Sequence, residues 1–149
     1  MKELILLLTM SLLLAGCSLL PASGATSTPT SSSIPPSSYE PQPDDVKLQR
    51  DQVHLDVENS RVVIGESLPV QVSLILNGNL SDPCHKLRVV APPANLQKEI
   101  RLEVYSVFDP KEVCITVLKP FNATIPLGSY SSGHYTVYVN DQLVGEFDA

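Results

Sequence analysis

The 149 residues carry 16 Asp and Glu against 10 Lys and Arg, for a formal charge of −6. No run of Lys and Arg stands anywhere to neutralise phosphates, which excludes a nucleic-acid binder. The length allows one domain with chain to spare, and the 13 Pro and three Cys are spread unevenly enough to show where that spare chain lies.

Residues 1–16 open with Met1-Lys2 and run through Leu4–Leu8 and Leu12–Leu14 to Ala15-Gly16, directly before Cys17. The apolar run is short of the roughly 20 residues a membrane-spanning helix needs and has the form of a secretion signal. Leu14-Ala15-Gly16-Cys17 resembles the lipobox of bacterial lipoproteins. That resemblance implies that the Cys17 thiol takes a diacylglycerol, that the leader is cut before it, and that the new amine is acylated. Small Ala15 and Gly16 leave a peptidase room to reach the backbone. Two or three acyl chains hold where one is marginal, each buried methylene adding about 0.8 kcal/mol. Glu3 departs from the usual positive start. In a cell with two membranes, Ser18 rather than Asp after the Cys implies no retention at the inner one. The expected setting is extracytoplasmic, on a cell surface or facing a periplasm.

Residues 17–45 are expected to be the lipidated Cys and a tether. Ser, Thr and Pro dominate them, and such a composition buries too little apolar surface to offset the entropy of ordering. The stretch 18–45 spans about 30 Å as a coil and about 85 Å as extended polyproline II.

From Val46 to Ala149 the pattern changes to alternation. Val53-x-Leu55-x-Val57, then Leu68 to Leu76, Leu87-x-Val89, Ile100-x-Leu102-x-Val104, Val113-x-Ile115-x-Val117 and Tyr135-x-Val137-x-Val139 keep a period of two. That period belongs to strands with one buried face. Turn residues separate the runs, among them Asn77-Gly78-Asn79, Pro92-Pro93, Asp109-Pro110 and Asn140-Asp141. Eight strands are predicted: 52–57, 68–76, 86–91, 98–107, 112–118, 121–126, 133–139 and 142–147. Short, evenly spaced strands without helices predict an all-β antiparallel sandwich. The stretch Ser132-Gly133-His134-Tyr135-Thr136-Val137-Tyr138-Val139 resembles the penultimate strand of immunoglobulin-like domains. The resemblance implies that Tyr135 packs inward and bonds its hydroxyl to backbone at a corner. The Trp of antibody domains is absent.

With Cys17 lipidated and the chain outside the cytoplasm, Cys84 and Cys114 are left to pair. Cys114 is placed within the 112–118 strand. No CxxC motif supports a redox or metal role, and only Cys84-His85 hints at one. His54, His85 and His134 stand alone in the sequence and are read as surface residues, so no metal or cofactor is expected. No serine lies in a Gly-x-Ser-x-Gly turn. Glu99 and Glu103 flank Arg101 on one strand face, where a solvated charge pattern outweighs a glycosidase pair. The candidate binding surface is Tyr130, His134 and Tyr138, with Phe121 either joining it or lying in the core.

The leading expectation is therefore a non-catalytic, monomeric binding or accessory module. A lipid anchor holds it to the membrane, and an envelope protein or glycan is its partner. An immunoglobulin-like peptidase inhibitor is the second expectation, although its Gly-rich and aromatic loop motifs are echoed only faintly at 127–133. A small envelope enzyme or metal carrier is the third.

Overall fold

The structure is a computed structural model and describes residues 38–149. The leader, Cys17 and the tether up to residue 37 lie outside the described residues.

Eight strands form two stacked sheets: β1 Gln49–Asp51, β2 His54–Ile64, β3 Val70–Leu80, β4 Lys86–Val90, β5 Glu99–Phe108, β6 Lys119–Tyr130, β7 His134–Val139 and β8 Gln142–Asp148. One sheet runs β2-β3-β6; the other is built around β5. The inward residues of both meet in one core: Val72, Leu74 and Leu76 of β3, Ala123 and Ile125 of β6, Ile100, Leu102 and Val104 of β5, and Tyr135, Val137 and Val139 of β7. The alternation that predicts these strands is the alternation that fills the core. Among the described residues no helix is long and apolar enough to cross a membrane.

The β5 sheet has an unusual edge. β4 pairs antiparallel with Glu103–Val107 on one side. The other side is shared by two strands in succession. β7 runs parallel along Glu99–Leu102, and β1 runs antiparallel along Ser106–Phe108. Every described pairing is antiparallel except β5 with β7, a correction to the wholly antiparallel expectation. A long connection, carrying β6 across to the other sheet, separates β5 from β7, and that removes the hairpin constraint on strand direction. Between β7 and β1 the Val104 backbone has no strand beside it. Asn140 fills the gap: its Oδ1 accepts from Val104 N at 2.8 Å and its Nδ2 donates to Val104 O at 2.8 Å. Its own N–H reaches Leu102 O at 3.0 Å. The side chain stands in for a missing peptide.

The predicted strand 112–118 does not form. Residues 109–118 are a loop joining β5 to β6, and Val113, Ile115 and Val117 point to solvent. Cys114 therefore lies in a loop and not in a strand. β6 instead begins at Lys119 opposite Leu80 and continues through Tyr130 opposite Val70, so β3 is paired along its whole length and offers the earlier segment no edge. Two further strands differ from expectation. β1 is separate from β2, and β2 runs on to Ile64 across an irregularity at Asp56–Arg61. There Ser60 Oγ donates to Asp56 O and accepts from Asn77 N.

The part of the chain fastened to the sandwich starts earlier than Val46. Tyr39 O accepts from Val89 N at 2.8 Å on the outer edge of β4, and Tyr39 packs against the core. A turn of 3₁₀ helix follows at Pro43–Lys47. Its Asp45 holds Arg88 of β4 through two bonds, Nε to Oδ2 at 2.6 Å and Nη2 to Oδ1 at 2.8 Å. Composition assigns Ser38–Asp45 to the tether, but this ion pair and the Tyr39 bond fasten those residues to the sheet.

Candidate functional site

The outer face of β5, β7 and β8 carries Arg101, Tyr105, His134 and Tyr138. β7 alternates, so Tyr135, Val137 and Val139 are buried while His134, Thr136 and Tyr138 face out. His134 and Tyr138 of the expected binding surface thus lie two positions either side of Thr136 on one face. Tyr130 does not join them. β6 extends four residues beyond the predicted end, and at that register Tyr130 turns inward. Only 8% of it is exposed, its ring packs edge-on against Tyr135 and Phe147, and its hydroxyl donates to Leu127 O at 2.9 Å. Burial pushes that hydroxyl's pKa up to about 12. Tyr130 is a core residue. Phe121 is half-buried against the core.

Two arginines lie over tyrosine rings on this face. The Arg101 guanidinium is 4.4 Å from the Tyr138 centroid, and Arg50 of β1 is 3.5 Å from that of Tyr105. Arg101 also bonds Glu99 at 3.0 Å and Asp141 at 3.0 Å, and Arg50 contacts Glu103 at 3.2 Å. The bond from Arg101, with a second from Asn95, holds the Glu99 carboxyl below its usual range. Glu99 and Arg101 form an ion pair on this face. His134 sits between Asp148, 2.9 Å from Nδ1, and Glu146, 3.5 Å from Nε2. The bond to Asp148 leads in raising its pKa above the ordinary histidine value.

Where β7 gives way to β1 along β5, the face dips into an open groove of about 620 Å³. Arg50, Gln52, Glu103, Tyr105, Asn140 and Gln142 line it. The groove exists because the β5 edge is shared. Sequence reading missed it entirely, since Arg50, Tyr105 and Asn140 come from three separate elements. The positive φ of both Asn140 and Asp141 fits the tight β7–β8 hairpin that their sequence signals; the bonding of Asn140 to β5 carries no local signal.

The cysteines meet as expected. The Cys84 and Cys114 sulfurs lie at bonding distance, with Cα atoms 6.1 Å apart. Asp82 stands close enough to complete a three-atom cluster with them, but a bridge leaves no thiolate to ligate a metal. His85, read as a surface residue, is buried instead. It stacks on Phe108 at 4.5 Å, with Nδ1 2.8 Å from Asp82 and Nε2 3.4 Å from Asp51. The histidine beside it, aided by the Cys84 N–H, holds the Asp82 carboxyl below its usual range. The Tyr135 hydroxyl donates to Ser131 O at 3.1 Å, the corner bond that the resemblance of this strand to immunoglobulin-like domains implies.

Two sheets packed face to face, with two of their connecting loops joined by a cysteine pair, define a β-sandwich protein. Residues 74–149 match the ORF11 beta-sandwich domain, and the chain belongs to that family. It is also similar to an uncharacterized 10.2 kDa protein in the HgiCIIM 5′ region of Herpetosiphon aurantiacus. The two are 30% identical over 86 residues, which cover 57% of this chain and 90% of that protein. No solved structure matches at a significant level.

Proposed function

We propose that the chain is a lipoprotein anchored through Cys17, and that it presents its sandwich outside the cytoplasm as a non-catalytic binding module. The observation that carries this reading is Leu14-Ala15-Gly16-Cys17 at the end of the apolar run. The disulfide-distance pair Cys84–Cys114 supports it, because such pairs persist in oxidising compartments. The binding surface is the outer β5–β7–β8 face with its groove. Tyr105 and Tyr138 offer large area at low entropic cost, and Asn140, Gln52 and Gln142 offer both donors and acceptors. An envelope protein or a glycan fits that mixture.

Metabolic labelling with a palmitate analogue tests the anchor: wild type takes label and Cys17→Ser does not. Equal labelling of both ends the lipoprotein reading. Capture of envelope components by the full chain tests the surface. Tyr138→Ala and Tyr105→Ala are expected to weaken capture at least tenfold without moving Tm, since both side chains lie on the outer face. Capture unaffected by either substitution removes this face as the site.

A further inference from the structure

The loop between β5 and β6 holds an apolar patch that the binding reading does not use. Val113 is 97% exposed, Ile115 70%, Val117 51% and Leu118 57%. Four such side chains within six residues differ from the scattered apolar exposure that any surface shows. Cys114 at the centre of the loop is tied to Cys84 in the β3–β4 connection. Lys111 and Lys119 bracket the patch, and no charged residue interrupts 113–118.

We infer that this loop docks the domain on the lipid surface that receives the Cys17 anchor. The inference rests on the lipoprotein reading. The route of the chain favours it. Tyr39, at the start of the described residues, lines one groove together with Cys84, Glu112 and Lys119. The described residues therefore begin beside the loop. Residues 18–37 reach up to about 70 Å when extended, too far to fix the domain's orientation by themselves. An apolar loop entering the headgroup boundary supplies the orienting contact that acyl chains at the far end of a long segment do not, while Lys111 and Lys119 keep their ammonium groups in the headgroup layer. A strand from a protein partner has less to hold, because residues 113–118 form no strand and present no ladder edge.

The chain contains no Trp, so one introduced indole is an unambiguous reporter. The full lipidated chain is reconstituted in phosphatidylethanolamine–phosphatidylglycerol vesicles as Ile115→Trp or as Leu96→Trp. Leu96 is 98% exposed and lies at the opposite end of β5. Emission from Ile115→Trp is expected to shift to shorter wavelength and to fall at least twofold with brominated acyl chains; Leu96→Trp is expected to do neither. Adding Val113→Asp and Leu118→Asp to the first reporter is expected to abolish both effects without changing Tm. An acylated chain whose Ile115→Trp emission matches that of Leu96→Trp overturns the docking and leaves the anchor standing. If Cys17 takes no acyl group, the anchor fails. The same reporter, added with the non-acylated chain to excess vesicles, still scores the loop: quenching supports lipid contact and its absence overturns it.

Discussion

Asn140 closes a gap that no strand fills. Its amide satisfies both the N–H and the C=O of Val104, which is buried. Leaving such groups unpaired costs about 1–3 kcal/mol each. Asn140→Gly keeps a residue tolerant of the positive φ and deletes only the side chain, so its expected cost of about 2–4 kcal/mol in chemical denaturation isolates the plug. Asp45 and Arg88 make the other decisive local bond. The hydrogen bond from Arg88 is the largest cause of a fall in the Asp45 pKa from 3.8 to about 2. A folded value below the unfolded one means that the pair's contribution is complete above pH 3.8 and is lost as pH falls toward 2. Thermal melts between pH 5 and pH 2 are expected to decline less steeply for Asp45→Asn than for wild type. At neutral pH, removing either partner of this largely enclosed pair is expected to cost about 3 kcal/mol.

Among the elements, the β5–β6 connection holds the clearest lesson. Val113-x-Ile115-x-Val117 has the same period as the strands that form, yet it stays a loop. Periodicity reports a preference for an extended, half-buried segment; it cannot report whether a sheet edge is free to receive one. The cysteine pair fixes this loop by closing a separation of 30 residues. In the chain-entropy account that closure is worth roughly 3–4 kcal/mol. The Cys84→Ser, Cys114→Ser double variant is expected to lose about that much stability on chemical denaturation. β5 and β6 keep their ladders to β4 and β3, so its far-ultraviolet spectrum is expected to stay that of the wild type. β6 teaches the same lesson in reverse. Its extension through Tyr130 follows from β3, whose Val70 lies opposite, and it carries a tyrosine of the expected surface into the core.

At the level of the whole molecule, the described core draws on residues from Tyr39 to Ala149. Tyr39 is its first contributor. The anchor is then expected to fix location without stabilising the fold. Cys17→Ser is expected to change how the chain partitions with membranes while the Tm of the purified chain stays within about a degree of wild type, because Cys17 is not among the residues of the described core. A large drop in Tm would place part of the fold's stability in the lipidated segment.

The sequence alone determined the properties that short-range chemistry encodes. Alternation at Leu74-x-Leu76, Ile100-x-Leu102-x-Val104 and Tyr135-x-Val137-x-Val139 gave an all-β sandwich, and Asn140-Asp141 marked a hairpin. His134 and Tyr138 could be assigned to the outer face because side chains two apart on a strand share a face. The pairing of Cys84 with Cys114 followed from counting sulfurs and not from geometry. Tertiary structure decided everything that depends on which edges are open. It made the β5–β7 pair parallel, left the 113–118 segment as an exposed loop, buried Tyr130 and His85, and opened the groove between β7 and β1. Those outcomes depend on competition among distant segments for a limited set of backbone partners, and that competition leaves no trace in the local order of residues.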